Sequence, residues 1–322
     1  MPRRFVLKAV LFVAGSAGLA VILQWALVFG LKNYNTSARG VWNRVLRGEV
    51  NADILVCGSS RALVHYDPDV IDRIVGKTVY NIGQNGTLPD LQLSVLKTYL
   101  SHNRSPLCIV VNIDNSCFTT TKEVYDPQRY IPYLGEPDLY KTLVSIDSRF
   151  ARMRSFPLVG VIEHRLFLTA LAGLLGVTAK EDHFLGYKPT DLHWTGEFDK
   201  FKAKHPTGVA IEMEECKVPA LAELIECGLR AKARVVLVYS PEYHGGQKLF
   251  RNRSEVLARV REIADLYGVE FWDFSDDPSC RDKSLFYNSQ HLNRRGATLF
   301  SRIVAHRLND LQATNPLRQS VW

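Results

Sequence analysis

From Ala9 to Leu31 the chain carries 23 consecutive residues without a charge, and from Asn51 onward its apolar residues fall into short blocks between amphipathic stretches. The two patterns predict different structures. An uncharged helix of that length, rising 1.5 Å per residue, crosses roughly 30 Å of hydrocarbon. The later blocks predict strands alternating with helices. ADILVCGSS (52–60) reads as a buried strand running into a small-residue turn, and Pro68–Val75 as a short helix with proline in its first turn. Thr78–Ile82 is a second strand, and Leu88–His102 has the spacing of an amphipathic helix. Further strands are expected at Leu107–Ile113, Ala233–Tyr239 and Gly268–Phe274, with helices at Ser254–Tyr267 and Leu292–Leu311.

Strands apolar on both faces and separated by helices indicate an α/β domain with a mostly parallel sheet. In such sheets chemistry collects at the carboxyl ends of the strands. The boundaries read as a tail at 1–8, a transmembrane anchor at 9–31, a polar linker at 32–50, the α/β domain at 51–313 and a C-terminal tail at 314–322. The Tyr- and Pro-rich stretch at about 119–232 interrupts the rhythm and reads as an insertion packed on the domain. Its uncharged part, 166–178, is too short to span a bilayer.

Charge changes the picture once it is mapped. The net charge is +7 and the pI about 9.0, but of 40 basic and 33 acidic side chains seven basic and one acidic lie in residues 1–50. The remaining 33 and 32 nearly cancel, which excludes a broad phosphate-binding face and therefore nucleic acid as a partner. A cleaved signal peptide has an apolar region of only about 7–15 residues ending in a small-x-small site. Here LKNYNTS follows the run, so an uncleaved single-pass anchor is expected. Arg3, Arg4 and Lys8 favour a cytoplasmic amino terminus; Lys32, Arg39 and Arg44 nearly balance them. The six cysteines form no CxxC or Cys/His ligand spacing and read mostly as small core hydrophobes. The nine histidines contain no HExxH, so neither a metal nor another cofactor is expected.

Four strand-end segments carry candidate chemistry. Gly58-Ser59-Ser60-Arg61 follows the first strand, where a serine is either an exposed nucleophile or a helix cap. Asn81-Ile82-Gly83-Gln84-Asn85-Gly86 follows the second and offers an amide to an oxyanion, or an ordinary turn. Asn112-Ile113-Asp114-Asn115 follows the third, with a side-chain amide as a further donor or a turn former. Asn288-Ser289-Gln290-His291-Leu292-Asn293 precedes the last helix and supplies an imidazole.

In this order the segments resemble the SGNH/GDSL-type hydrolases, over about 51–312 without most of the insertion. The resemblance implies a flavodoxin-like three-layer sandwich with Ser60 as nucleophile, Gly83 as backbone oxyanion donor and His291 as base. The anchor, the GSSR variant and the run HLNRRGATLFS (291–301) look closest to extracytoplasmic proteins of polysaccharide and teichoic-acid O-acylation systems. That branch implies O-acetyl esters of a cell-envelope glycan as substrate and a membrane-bound O-acyltransferase as partner. Two departures stand out. Asn288 occupies the place of the usual acid of D-x-x-H, leaving an Asn-oriented Ser-His pair or a carboxylate from elsewhere, such as Asp114 or Asp276. The third block puts Asp114 where an amide is usual, so Asn115 serves as donor only with a one-residue slip. The expected function is a serine ester hydrolase or O-acyltransferase outside the cytoplasm. A catalytically silent glycan- or partner-binding module and a lipase or thioesterase are the alternatives.

Overall fold

The computed structural model describes residues 2–120, 123–156, 164–177 and 179–313; the expected C-terminal tail, 314–322, lies outside them. Apart from short 3-10 turns, the elements begin with α1 (Pro2–Asn33), α2 (Ser37–Leu46), β1 (Ile54–Cys57) and α3 (Ser60–His65). They continue with α4 (Pro68–Val75), β2 (Val79–Asn81), α5 (Pro89–His102) and β3 (Cys108–Asn112). A helical middle contains α6 (Pro137–Ile146), α7 (Arg149–Ser155), α8 (His164–Leu175) and α9 (Glu197–Lys204). The chain then forms α10 (Val218–Arg230), β4 (Arg234–Tyr239), α11 (His244–Gln247), α12 (Arg253–Tyr267), β5 (Glu270–Asp273) and α13 (Arg294–Ala313).

Two compact units result: Met1–Asn43 with Asp126–Lys180, and Arg44–Tyr125 with Glu181–Trp322. The expected insertion is thus divided between them. In the first unit, α1 is the one helix among the described residues long and apolar enough to cross a membrane. The segment read as a polar linker contains α2, because Val41 and Trp42 find apolar cover and are buried. The buried Asn43 closes the end of α1: its Nδ2 donates to the carbonyls of Leu31 (2.9 Å) and Tyr34 (2.8 Å). The Tyr133 hydroxyl donates to Asn43 Oδ1 at 2.9 Å, so every polar atom of that buried amide is used.

The second unit holds a five-stranded sheet in the order β2-β1-β3-β4-β5 with every neighbouring pair parallel. This is the doubly wound order of flavodoxin-like folds, with the chain reversing direction of travel at β1. Successive side chains of the strands face opposite layers. Ile54, Val56, Val110, Val236 and Val238 share a core with Phe300, Val304 and Leu308 of α13, and α13 also packs on α4. On the other face Gly228 of α10 lies against Val235 and Ile109, and α10 packs on α5. Three layers follow from that alternation, as expected. Most strand and helix bounds match the periodicity to within two residues or so. The closing helix starts at Arg294 rather than Leu292 because Asn293 Oδ1 accepts the Gly296 amide (3.1 Å), which is cap geometry.

Gly58 sits where β1 breaks into α3, at φ +144°; a Cβ there would meet the Asn112 carbonyl oxygen at 2.9 Å and Ala62 Cβ at 2.8 Å. Neither neighbour is a flexible side-chain tip. Gly58→Ala is expected to cost about 1–3 kcal/mol through strain at this turn; chemical denaturation measures it, and an unchanged midpoint would contradict the tight turn.

Candidate active site

The turn fixed by Gly58 places Ser60 at the first residue of α3. The loop before α13 places His291 opposite it. In that loop an antiparallel bridge joins Phe286 to Leu292, and the Tyr287 amide donates to the His291 carbonyl (3.1 Å). Tyr287 stacks on the imidazole, with centroids 5.3 Å apart and planes 10° from parallel.

Hydrogen bonds assign the tautomer of His291. Asn288 Oδ1 accepts the backbone amides of Gln290 (3.0 Å) and His291 (2.9 Å), which identifies it as the oxygen rather than the nitrogen. The same oxygen lies 2.9 Å from His291 Nδ1, so Nδ1 carries the proton. Nε2 is left with its lone pair, 2.7 Å from Ser60 Oγ, and accepts the serine proton. Burial, with the positive charge of Arg61 adding to it, pushes His291 down to about 4, so the ring is neutral at neutral pH.

Behind this pair lies a buried polar layer whose connections the sequence did not reveal. The Arg61 guanidinium, 3% exposed, is 3.0 Å from Glu242 Oε1 and 3.4 Å from Asp114 Oδ1. It also donates to the Ser240 carbonyl and lies 4.5 Å from the centre of the Tyr239 ring. Tyr239 donates its hydroxyl to Glu242 Oε2 at 2.7 Å. Burial pushes both carboxyls up, against the pull of Arg61. His65, fully buried, is 2.8 Å from Ser240 Oγ through Nδ1 and accepts the Leu292 amide at Nε2 (3.0 Å). It thereby ties α3 to the loop that carries His291.

Ser60 and His291 open onto a pocket of about 240 Å³, whose lining includes Arg61, Gly86, Thr87, Asp114, Asn115, Glu123, Glu242 and Gln290; among the described residues Leu88 is its one apolar side chain. Asn115 is buried beside this space, and its Nδ2 has no partner among the described residues. Asp114 does not reach His291: its carboxylate accepts from Ser59 Oγ, Asn112 Nδ2 and Arg61. Asp276 lines a different pocket, beside His244 and Arg281. The group that orients the imidazole is therefore Asn288 itself.

Gly83 departs from expectation. Its amide donates to Asn81 Oδ1 (2.9 Å), and a Cβ there would meet the Leu63 amide nitrogen at 2.7 Å. It serves close packing against α3 and is not a free oxyanion donor. The second glycine of the same motif, Gly86, lines the pocket at φ +66°, and no hydrogen bond occupies its amide among the described residues. The requirement for a left-handed turn was the signal that could have pointed to it. Glu242 and His65 had none, since their partners are distant in the chain, and Arg61 stood in the GSSR run without a role. Among the described residues the metal-ligand types Glu181, Asp182 and His183 come together, but they do not line this pocket.

No protein-family model and no curated protein matches the chain. Among solved structures it is similar to a proposed acylhydrolase from Bacteroides fragilis, at 11% identity over 80% of this chain and 86% of that one, with a TM-score of 0.41. It is also similar to Est24, a carbohydrate acetylesterase from Sinorhizobium meliloti, at 11% identity over 80% and 98% of the two chains, with a TM-score of 0.37. Likenesses this distant add nothing to what the side chains themselves say.

Because the folded value of His291 lies below its ordinary 6.5, the stability linked to it is complete above that value and is lost as pH falls through about 4. NMR titration of the His291 ring is expected to give a midpoint near 4; a midpoint at or above the ordinary value would mean that the ring is not held buried beside Arg61.

Proposed function

We propose that the chain is a membrane-anchored serine ester hydrolase or O-acyltransferase acting on O-acyl groups, acetyl above all, of a cell-envelope glycan. The observation that carries this reading is the hydrogen-bonded series Ser60–His291–Asn288, with the tautomer a general base requires. In this reading Ser60 Oγ attacks the acyl carbon while its proton passes to His291 Nε2. The amide of Gly86 and Nδ2 of Asn115 donate to the oxyanion, each such donor being worth about 10²–10³ in rate. Collapse breaks the ester C–O bond, and His291 returns the proton to the departing sugar oxygen. The acyl group on Ser60 then passes to water or to a sugar hydroxyl, whose proton His291 takes in turn. Asn288 keeps the ring oriented but stabilises imidazolium less than a carboxylate would.

The pocket supports a short acyl group on a polar carrier. It is small, and its wall offers hydroxyls, amides and carboxylates rather than the apolar channel a lipase needs for a long chain. A silent binding module would have no need of a neutral imidazole aligned on a serine hydroxyl. For the anchor, the support is the uncharged, exposed α1; residues 1–8 then face the cytoplasm and the α/β unit lies outside.

Ser60→Ala and His291→Ala are each expected to lower kcat/KM on acetylated sugars on the order of 10⁴-fold or more, with the fold intact by circular dichroism. A serine-directed phosphonate should label Ser60 in the parent chain only. Full activity in both variants would sink the mechanism. Asn288→Asp separates the role of the amide from that of the turn, since aspartate can accept the same two backbone amides. The added carboxylate favours imidazolium, so the acid limb of the kcat/KM profile should move up from about 4. An acid limb that stays in place would show that residue 288 does not act on the ring.

A further inference from the structure

Helix α8 is built inside out. Leu166, Ala170 and Gly173 form its buried stripe, whereas Phe167, Leu168, Leu171, Leu174 and Leu175 are exposed, Leu168 by 61% and Leu175 by 67%. A surface helix of a water-soluble domain has the opposite arrangement, with its large apolar residues inward. Small residues inward and large apolar residues outward is the arrangement of helices that pack within lipid.

What the small stripe packs on is α1. A Cβ at Gly30 would lie 2.1 Å from the Ala170 carbonyl oxygen, and one at Gly173 would lie 1.9 Å from the Gly30 carbonyl oxygen. The two backbones therefore touch, and Leu27 and Leu31 of α1 close the contact with Leu166 and Ala170. This fixes the depth of α8. Leu27 to Leu31 end the uncharged run, and a helix in backbone contact with them lies at the level of the bilayer that they occupy. The sequence 166–179 carries no charge, and the Thr169 hydroxyl donates to the Arg165 carbonyl (2.9 Å), so from Leu166 to Leu175 no side-chain polar group needs water, the polar His164 and Arg165 standing at the start of the helix. The ten residues from Leu166 to Leu175 rise about 15 Å, enough for one leaflet and not for two.

We propose that α8 is a second membrane element, seated in the hydrocarbon of the leaflet that surrounds the carboxyl end of α1, with Phe167, Leu168, Leu171 and Leu175 against acyl chains. The assignment rests on the reading of α1 as a transmembrane helix. The full chain, with the exposed Cys216 changed to Ser, would be reconstituted in phosphatidylcholine–phosphatidylglycerol vesicles with an environment-sensitive fluorophore on one introduced cysteine. Leu168→Cys and Leu171→Cys report on α8, Ile22→Cys on α1, and Leu266→Cys on an exposed position of the α/β unit. Quenching by brominated phospholipid at 168 and 171 as strong as at 22, with 266 quenched only by aqueous iodide, is the expected result. Iodide access at 168 and 171 with lipid quenching at 22 would overturn the proposal and leave the anchor standing. Iodide access at 22 as well would remove both. Protection of 168 and 171 from both quenchers would replace lipid by a protein partner and equally overturn it. On the unsubstituted chain, a diazirine phospholipid should leave adducts in 165–177 as well as 9–31; adducts in 9–31 alone would refute the placement without any engineered residue.

Discussion

The buried Arg61 guanidinium holds the carboxyl ends of three strands in one place. It projects from α3, which follows β1. It meets Asp114 beyond β3 and both the Ser240 carbonyl and Glu242 beyond β4. A charge buried this deeply is tolerated only when it is paired and hydrogen-bonded, and removing one partner of such a pair leaves an uncompensated charge. The loops that border the pocket are thus tied to a common centre. Burial depresses the imidazole and the same positive charge adds to it, so the residue that ties the loops also contributes to tuning the base.

What the sequence disclosed and what it concealed divide along a physical line. Strands buried on both faces write an uninterrupted apolar run, and amphipathic helices write a period, so β1 to β5, α4, α5 and α12 could be read. Ser60 and His291 each stand beside a turn at the end of an element, where either could be structural, and it was the order of their segments and the resemblance it carries that singled them out. Gly83 misled because the fate of its amide depends on Asn81 folding back two residues to take it, and a spacing of glycines carries no trace of that bond. Glu242 and His65 were silent because their meaning lies in partners brought near only by the fold. The linker misled for a related reason: α2 is short and mixed in composition, and its helicity comes from burying Val41 and Trp42 rather than from propensity.

Asn288 illustrates how one side chain can satisfy a local and a distant demand together. Its oxygen closes the turn by accepting two successive amides and still has a direction left for the imidazole. A carbonyl oxygen with three donors around it is fully committed, which holds the ring in one tautomer without adding a negative charge to a region that already contains Asp114 and Glu242.

His65 completes a closed circuit of very few links. From Ser60 the path runs through the six residues of α3 to His65, across one hydrogen bond to the Leu292 amide, back one residue to His291, and across a second hydrogen bond to the starting serine. Every link is either covalent backbone or a hydrogen bond wholly or partly shielded from water. Little slack can accumulate around so short a loop, and the separation of hydroxyl and imidazole becomes a property of the framework instead of an average over wandering side chains. The entropy of bringing the two groups together is then spent during folding, once, and is not charged again at each turnover.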